Sequence, residues 1–531
     1  MKHRILISDS FSQEGIDILS QAAGFEVIYK TGMKEDELAA AIKGIDGLII
    51  RSATTVTRKI IESADKLRLV ARAGVGTDNV DGEAATDRGV IVMNAPSGNS
   101  ISTAELALAM LFSLARKIPQ ANASMQNGKW EKKKFEGVQV TGKKIGIIGL
   151  GRIGRELAKR SLACGMEILG YDPFLSAEQI AAIGATPATL ETIYKNADFI
   201  STHVPLTDET RGLTGAKQIA MMQPTTMLIN CARGGIMDEQ AVADAVREGR
   251  LAGAAFDVFN EEPPKDCPFV GIENIIMTPH LGASTEEAQV KVAIETVQEV
   301  IDFFDKGLIR NSVNVPPLDQ KLLQEMTPYI RLAERLGRFL SSFAASGIKE
   351  IVVTYSGTLM EKEVYFLTQS VLKGILEPVM DTALNFVNAP LIARQRGINV
   401  SERKEMIEPD FNEMISVRIT TGNKDTHELW GTIYGDRDIR FVFFDGYYFD
   451  MRPEGNLLVV HNNDVPGVVG IIGTILGDAK VNIASMKLGR KEKGSTVLTL
   501  VSIDGELSKD ILEKIRSQKP ILDASVISLT D

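Results

Sequence analysis

Apolar residues in the first part of the chain come in short continuous runs rather than in alternation: Ile5–Ile7, Phe25–Ile28, Gly47–Ile50, Leu69–Ala71 and Val90–Met93. Helical patterns such as Glu35–Ile42 and Arg58–Ser63 separate them. Unbroken runs of this length suit strands buried on both faces, so residues 1–98 are expected to form an α/β unit with a parallel sheet. The stretch Ser102–Arg116 is strongly apolar and rich in helix formers, which predicts a long buried helix leading into a second domain. There the pattern resumes at Lys144 and continues through Phe199–Val204, Met227–Asn230, Ala254–Val258 and Ile275–Thr278, as in a doubly wound sheet. A long helical pattern, Glu286–Phe304, then carries the chain back. The first domain is thus expected in two pieces, 1–98 and 287–315, with residues 99–286 inserted between them.

Pro316-Pro317 mark the next boundary. Residues 316–452 mix helical stretches, Leu322–Phe343 and Leu372–Val387, with strand-like runs at Ile415–Thr420, Leu429–Tyr434 and Arg440–Phe444. Residues 453–531 read strand, helix, strand, strand, helix, strand, the order of a small ferredoxin-like domain. Gly467, Gly470, Gly473 and Gly477 share one helix face there, which predicts close packing rather than a phosphate loop.

The run Lys144–Asp172 carries the first chemistry. Gly149, Gly151 and Gly154 form a G-x-G-x-x-G between an apolar strand and an amphipathic helix. In that setting Gly149 turns the chain, Gly151 lets backbone N–H groups approach a pyrophosphate, and Gly154 lets helix and strand pack closely. Asp172 ends the next strand, 18 residues after Gly154, where a carboxylate accepts hydrogen bonds from an adenosine ribose. A carboxylate there repels a 2′-phosphate, so NAD is favoured over NADP.

Composition narrows the class. A net charge of −10 argues against general nucleic-acid binding. Three cysteines, Cys164, Cys231 and Cys267, fit a reducing compartment and no metal-ligand spacing, so no metal is expected. The N-terminus lacks a signal-peptide apolar region, and no run approaches the ~20 residues that span a bilayer; a cytoplasmic protein without membrane partners is expected.

Three further strand ends converge on the cofactor edge of the cleft. Asn230–Gly235 places Arg233 beside two glycines, Phe256–Pro263 ends on acids, and Thr278–Gly282 carries His280. Hydride transfer between a nicotinamide and a secondary alcohol requires a group that takes or returns the hydroxyl proton, and histidine titrates near neutrality. A carboxylate orients the ring, and an arginine fork holds a substrate carboxylate.

The loop GLGRIG with NCARGGIMDE, DVFNEEPP and TPHLGAST resembles the D-2-hydroxyacid dehydrogenase family over residues 1–315. The resemblance implies a Rossmann NAD-binding domain inserted into a flavodoxin-like α/β substrate domain, then a mixed α+β intervening domain. It makes Arg233 the substrate fork, Glu262 rather than Glu261 the support, and His280 the acid/base. It lines the NAD site with Val75, Arg152, Ile153, Asp172, Val204, Cys231, Ala232, Asp257, Gly282 and Ala283, beside the three glycines. The extra length and the stretch Asn388–Ile398 resemble the long-form branch, which oxidises 3-phospho-D-glycerate to 3-phosphooxypyruvate, the first step of phosphorylated L-serine synthesis. A glyoxylate or hydroxypyruvate reductase and a non-catalytic NAD-sensing scaffold are the alternatives.

A substrate with a carboxylate and a phosphate carries about three negative charges, so cations should converge on it. Arg51 with Ser52, Arg72, Gly74, Val75 and Asn99 are the candidates, with the amides of Gly74 and Val75 for the carboxylate. Lys132, in a basic loop, is a candidate contact to a neighbouring subunit's substrate. The tail resembles an ACT domain, which implies L-serine as effector, with Asp464 for its amino group and Asn462 and Asn482 for its carboxylate and backbone. The family further implies a homo-oligomer, a dimer or a tetramer.

Overall fold

Five strands, β1 (His3–Ile7), β2 (Phe25–Tyr29), β3 (Gly47–Ile50), β4 (Leu69–Arg72) and β5 (Ile91–Asn94), form a parallel sheet ordered β2-β1-β3-β4-β5. This computed structural model describes residues 2–344, 347–380, 384–407, 411–435, 437–492 and 494–529. Successive strand residues serve opposite cores. Ile5, Ile7, Leu69 and Met93 pack with Val297 and Phe303 of the helix Glu286–Lys306, while Leu6, Leu48, Val70 and Val92 pack with Leu38 and Ile60. Burial on both faces is the reason for the continuous apolar runs.

The second parallel sheet is built from β6 (Lys144–Ile148), β7 (Glu167–Tyr171), β8 (Thr186–Pro187), β9 (Phe199–Thr202), β10 (Met227–Asn230), β11 (Gly253–Phe256) and β12 (Ile275–Met277). Its order is β12-β11-β10-β9-β6-β7-β8. Because β7 and β9 flank β6 on opposite sides, the crossovers diverge there and a crevice opens at its carboxyl end. The helix Ser100–Arg116 enters this unit and buries Ala104, Ala107 and Leu111 against Ile147 and Leu157. The helix Glu286–Lys306 leaves it, and the two helix starts meet through the Ser102 and Thr285 hydroxyls at 2.8 Å.

A mixed sheet follows, from β13 (Ile348–Gly357), β14 (Asn399–Lys404), β15 (Glu413–Thr421), β16 (Thr426–Tyr434), β17 (Asp438–Phe444) and β18 (Tyr447–Met451), ordered β14-β13-β15-β16-β17-β18. The helices Gln320–Ser341 and Tyr365–Leu376 pack Leu332, Leu336, Leu367 and Val371 onto it. Three of these strands escape the sequence reading. β14 is exposed at every position, so no apolar run betrays it. The helix expected over Leu372–Val387 instead spans Tyr365–Leu376; Pro378 follows in a short 3-10 turn, where its missing N–H and its ring stop the α-helix. Residues 381–383 of that expected stretch lie outside the described residues.

The last sheet is antiparallel, ordered β20-β21-β19-β22, from β19 (Asn456–Asn463), β20 (Ile483–Arg490), β21 (Thr496–Ile503) and β22 (Ile521–Ser528). Its two helices are Val468–Asp478 and Lys509–Arg516. The glycine face of the first of these is a correction: at Gly467, Gly470, Gly473 and Gly477 an added Cβ meets no atom within 4 Å. Their spacing gives a shared face, and the fold leaves that face open rather than packed. Among the described residues no helix is long and apolar enough to cross a membrane.

Candidate functional site

The glycine loop forms as its residue types dictate. Gly149 takes φ +94°, and Gly151 caps the helix Arg152–Ala163. A Cβ at Gly154 would stand 2.0 Å from the Gly149 carbonyl oxygen, so only glycine lets the helix start this close to the strand. Gly151 is the opposite case: nothing lies within 4 Å of its Cβ position, which leaves its face open to a ligand. Asp172 accepts the Leu150 N–H at 2.9 Å and the Phe174 N–H at 2.9 Å, which places its carboxylate beside the loop. An open glycine, a helix N-terminus and an adjoining carboxylate fit a dinucleotide.

Next to the loop lies a cavity of about 590 Å³ that gathers Val75, Asn99, Ile153, Val204, Cys231, Ala232, Arg233, Asp257, Gly282 and Ala283. A second cavity of about 440 Å³ holds Arg51, Ser52 and Gly74. Arg72, Glu262, His280 and Ala283 line both. Residues from the two α/β units, far apart in sequence, thus meet around His280. Gly149, Gly151, Arg152, Gly154 and Asp172 stand outside the cavity lining, along the ends of β6 and β7.

His280 has φ +54°, a left-handed conformation uncommon for a residue with a Cβ. Its backbone N–H donates to the Asp257 carbonyl at 2.9 Å, and the Asp257 carboxylate accepts from Thr278 Oγ1, Leu281 N and Gly282 N at 2.5–2.8 Å. Asp257 therefore lines the cavity but spends both oxygens on holding the histidine loop. Glu262 Oε2 accepts from His280 Nδ1 at 2.6 Å, and its Oε1 accepts the Phe259 N–H at 3.0 Å. Burial raises the Glu262 pKa, yet these hydrogen bonds outweigh it and hold the carboxyl below its usual range. An ionised carboxylate only accepts, so Nδ1 carries a proton and Nε2 is left for chemistry.

The cations are crowded. Arg72 is mostly buried, and that burial, with Arg233 and Arg51 nearby, lowers its pKa to about 10. Its guanidinium lies over Gly74, where a Cβ would come within 1.7 Å of Nη1 and φ is +149°. The Gly74 N–H already donates to the Arg72 carbonyl at 2.9 Å, which corrects the expectation that this amide meets a carboxylate. Arg51 Nη1 donates to the Ser10 carbonyl at 3.1 Å.

The remaining candidates are placed as follows. Cys231 lines the larger cavity, its Sγ facing Met110 Sδ at 3.5 Å, and burial pushes its thiol pKa up. Lys132 sits on an exposed turn and lines neither cavity. The three proposed effector residues do not meet within one chain. Asn462 is buried, bonded to Thr499 at 2.8 Å; Asp464 is paired with Arg490; Asn482 bonds Asp504 at 2.7 Å. Asn482 lies at the end of the sheet where β19 begins, about 20 Å from Asn462 at its other end.

Sequence reasoning missed Asp78, which pairs with Arg233 at 3.2 Å, and His203, a residue that lines the cofactor cavity. His203 Nε2 meets Ser201 Oγ at 2.9 Å, and burial lowers its pKa to about 4, so it is neutral. His203 follows β9 directly, and the strand-end rule that selected His280 selects it too.

A D-3-phosphoglycerate dehydrogenase of Methanocaldococcus jannaschii is 41% identical to this chain over 528 residues, covering 99% of it and 100% of the relative. The chain belongs to the D-3-phosphoglycerate dehydrogenase family. The Bacillus subtilis member is 40% identical over 528 residues, covering 99% of each chain. Family models for the D-isomer specific 2-hydroxyacid dehydrogenase NAD binding domain, the D-3-phosphoglycerate dehydrogenase intervening domain and the ACT domain match residues 108–282, 325–445 and 456–519. The NAD+-bound 3-phosphoglycerate dehydrogenase of Entamoeba histolytica superposes with a TM-score of 0.52 at 29% identity, over 59% of this chain and 99% of that one. The protein is thus an NAD-dependent D-2-hydroxyacid dehydrogenase of that family.

Proposed function

We propose that this protein oxidises 3-phospho-D-glycerate to 3-phosphooxypyruvate at the junction of the two cavities. The observation that carries the reading is the Glu262–His280 pair set against three arginines, Arg51, Arg72 and Arg233. NAD bound along the glycine loop supplies the hydride acceptor. Arg233 takes the substrate carboxylate, while Arg51 and Arg72 take the phosphate in the smaller cavity. His280 Nε2 accepts the C2 hydroxyl proton as the C2 hydride departs, and Glu262 stabilises the imidazolium so formed. Full-length relatives that include the intervening and ACT domains favour this substrate over glyoxylate and over a scaffold role.

The ACT domain supports L-serine as effector, bound between two copies, since its candidate residues are separated in one chain. A cytoplasmic homo-oligomer completes the reading; Trp130 and Phe174, 81% and 92% exposed, are apolar surface for a second copy. The test is NADH formation from NAD and 3-phosphoglycerate at mildly alkaline pH with a product trap, with and without millimolar L-serine. Turnover that falls by about 10²–10⁴ in H280A supports the reading. Near-normal turnover in H280A sinks the acid/base assignment, and indifference to serine sinks the effector.

A further inference from the structure

Asp78 belongs to the loop after β4, in the first α/β unit, whereas Arg233 follows β10 in the second. The two side chains reach across the cleft, Arg233 Nε to Asp78 Oδ2 at 3.2 Å. Arg233 Nη1 donates to its neighbour's carbonyl, Ala232 O, at 2.7 Å. The guanidinium approaches Gly76 closely, where a Cβ would stand 1.9 Å from Nη2. Nε and one Nη1 hydrogen are therefore engaged, and Arg233 lines the cavity together with Asp78, Arg72 and His280.

The loop that presents Asp78 is itself braced. Asn79 Nδ2 donates to the carbonyls of Arg51 at 2.7 Å and Thr54 at 2.6 Å, and Asn94 Nδ2 donates to the Val75 carbonyl. The Val56 N–H closes the other side on the Asn79 carbonyl at 2.8 Å. A side chain on a loop held this way has a defined position, which is what a residue that orients another requires.

We propose that Asp78 is a positioning residue for Arg233: from the opposite wall of the cleft it takes Nε, so that the Nη edge is aimed at the substrate carboxylate. The inference rests on the reading of Arg233 as the carboxylate fork. It makes a prediction opposite in sign to simple electrostatics. Asp78 is a negative charge beside a site for a substrate of about three negative charges, so a residue that merely stands there weakens binding, and its removal tightens it. A residue that orients the fork strengthens binding, and its removal loosens it.

Steady-state kinetics on D78A, D78N and R233A, with 3-phosphoglycerate and NAD varied in turn, separate the two. In D78A the KM for 3-phosphoglycerate should rise about threefold to tenfold, a modest factor because the Asp78 carboxylate is largely solvated. The KM for NAD and the melting temperature should stay at the wild-type values. D78N should fall between, since its amide oxygen still accepts from Nε without the charge. A KM in D78A that is unchanged or lower overturns the proposal, as does an equal rise in both KM values, which marks a structural role. Should D78A fail to fold, the isosteric D78N carries the test, and an unchanged or lower KM there overturns it. An R233A that keeps its KM for 3-phosphoglycerate removes the fork itself, and the proposal with it. An R233A with raised KM beside an unaffected D78A removes only the role of Asp78.

Discussion

Two glycines three residues apart separate folding from binding. At Gly154 an added methyl would sit 2.0 Å from the Gly149 carbonyl oxygen and 3.0 Å from its carbon, backbone atoms that cannot rotate aside. The helix Arg152–Ala163 must move off β6 by about an ångström, an overpacking cost of about 1–3 kcal/mol. At Gly151 the same methyl meets nothing within 4 Å, and φ −68° is open to alanine. G151A should therefore leave the free protein as stable as the wild type while its methyl fills the space a pyrophosphate needs. An affinity loss of about tenfold to hundredfold, ~1.4–2.7 kcal/mol, is expected. The assay pairs NADH fluorescence titration with amide exchange of the helix Arg152–Ala163 in the free protein. G154A should accelerate exchange by about fivefold to 150-fold, the same 1–3 kcal/mol, and G151A should not. Equal effects of the two substitutions on exchange, or wild-type NADH affinity in G151A, would refute the reasoning.

Two further predictions follow from the charges. E262Q should lower kcat by about 10²–10⁴ with the KM for NAD unchanged, because an amide leaves the imidazolium of His280 without its counter-charge and, unlike an acceptor-only carboxylate, no longer dictates which ring nitrogen carries the proton. Since the folded Glu262 pKa lies below its ordinary 4.5, the pair's contribution to stability is present above that pH and fades as pH falls through the folded value. Acid melting curves should show this loss in the wild type and a smaller one in E262Q. For Arg72 the sign reverses: its folded pKa, about 10, is below the ordinary 12.5, so its charge disfavours the folded state in full below about pH 10, and the penalty fades as pH rises from there towards the ordinary value. R72M should raise the melting temperature of the free protein near neutrality, yet raise the KM for 3-phosphoglycerate about tenfold to hundredfold. A lower melting temperature would contradict the account of Arg72 as an uncompensated cation.

What the chain reveals unfolded is what local physics controls. Continuous apolar runs report strands buried on both faces. A turn glycine, a close-packing glycine and a strand-end carboxylate report a dinucleotide loop, since each demand is met within about thirty residues. His280, Glu262 and Arg233 were legible for a related reason, because parallel strands deliver their carboxyl ends to one crevice. Tertiary structure alone decided which polar groups are free to act. Asp257 lines the cofactor cavity, while its carboxylate oxygens close on Thr278, Leu281 and Gly282. The Gly74 amide is taken by Arg72, Cys231 turns toward Met110, and Asn462 and Asn482 stand at opposite ends of one sheet. Asp78 gains its meaning only when a second domain brings Arg233 to it, 155 residues away in sequence. Periodicity reports that a side chain is buried or exposed; it carries no record of the partner it meets, because that depends on how separately folded units dock.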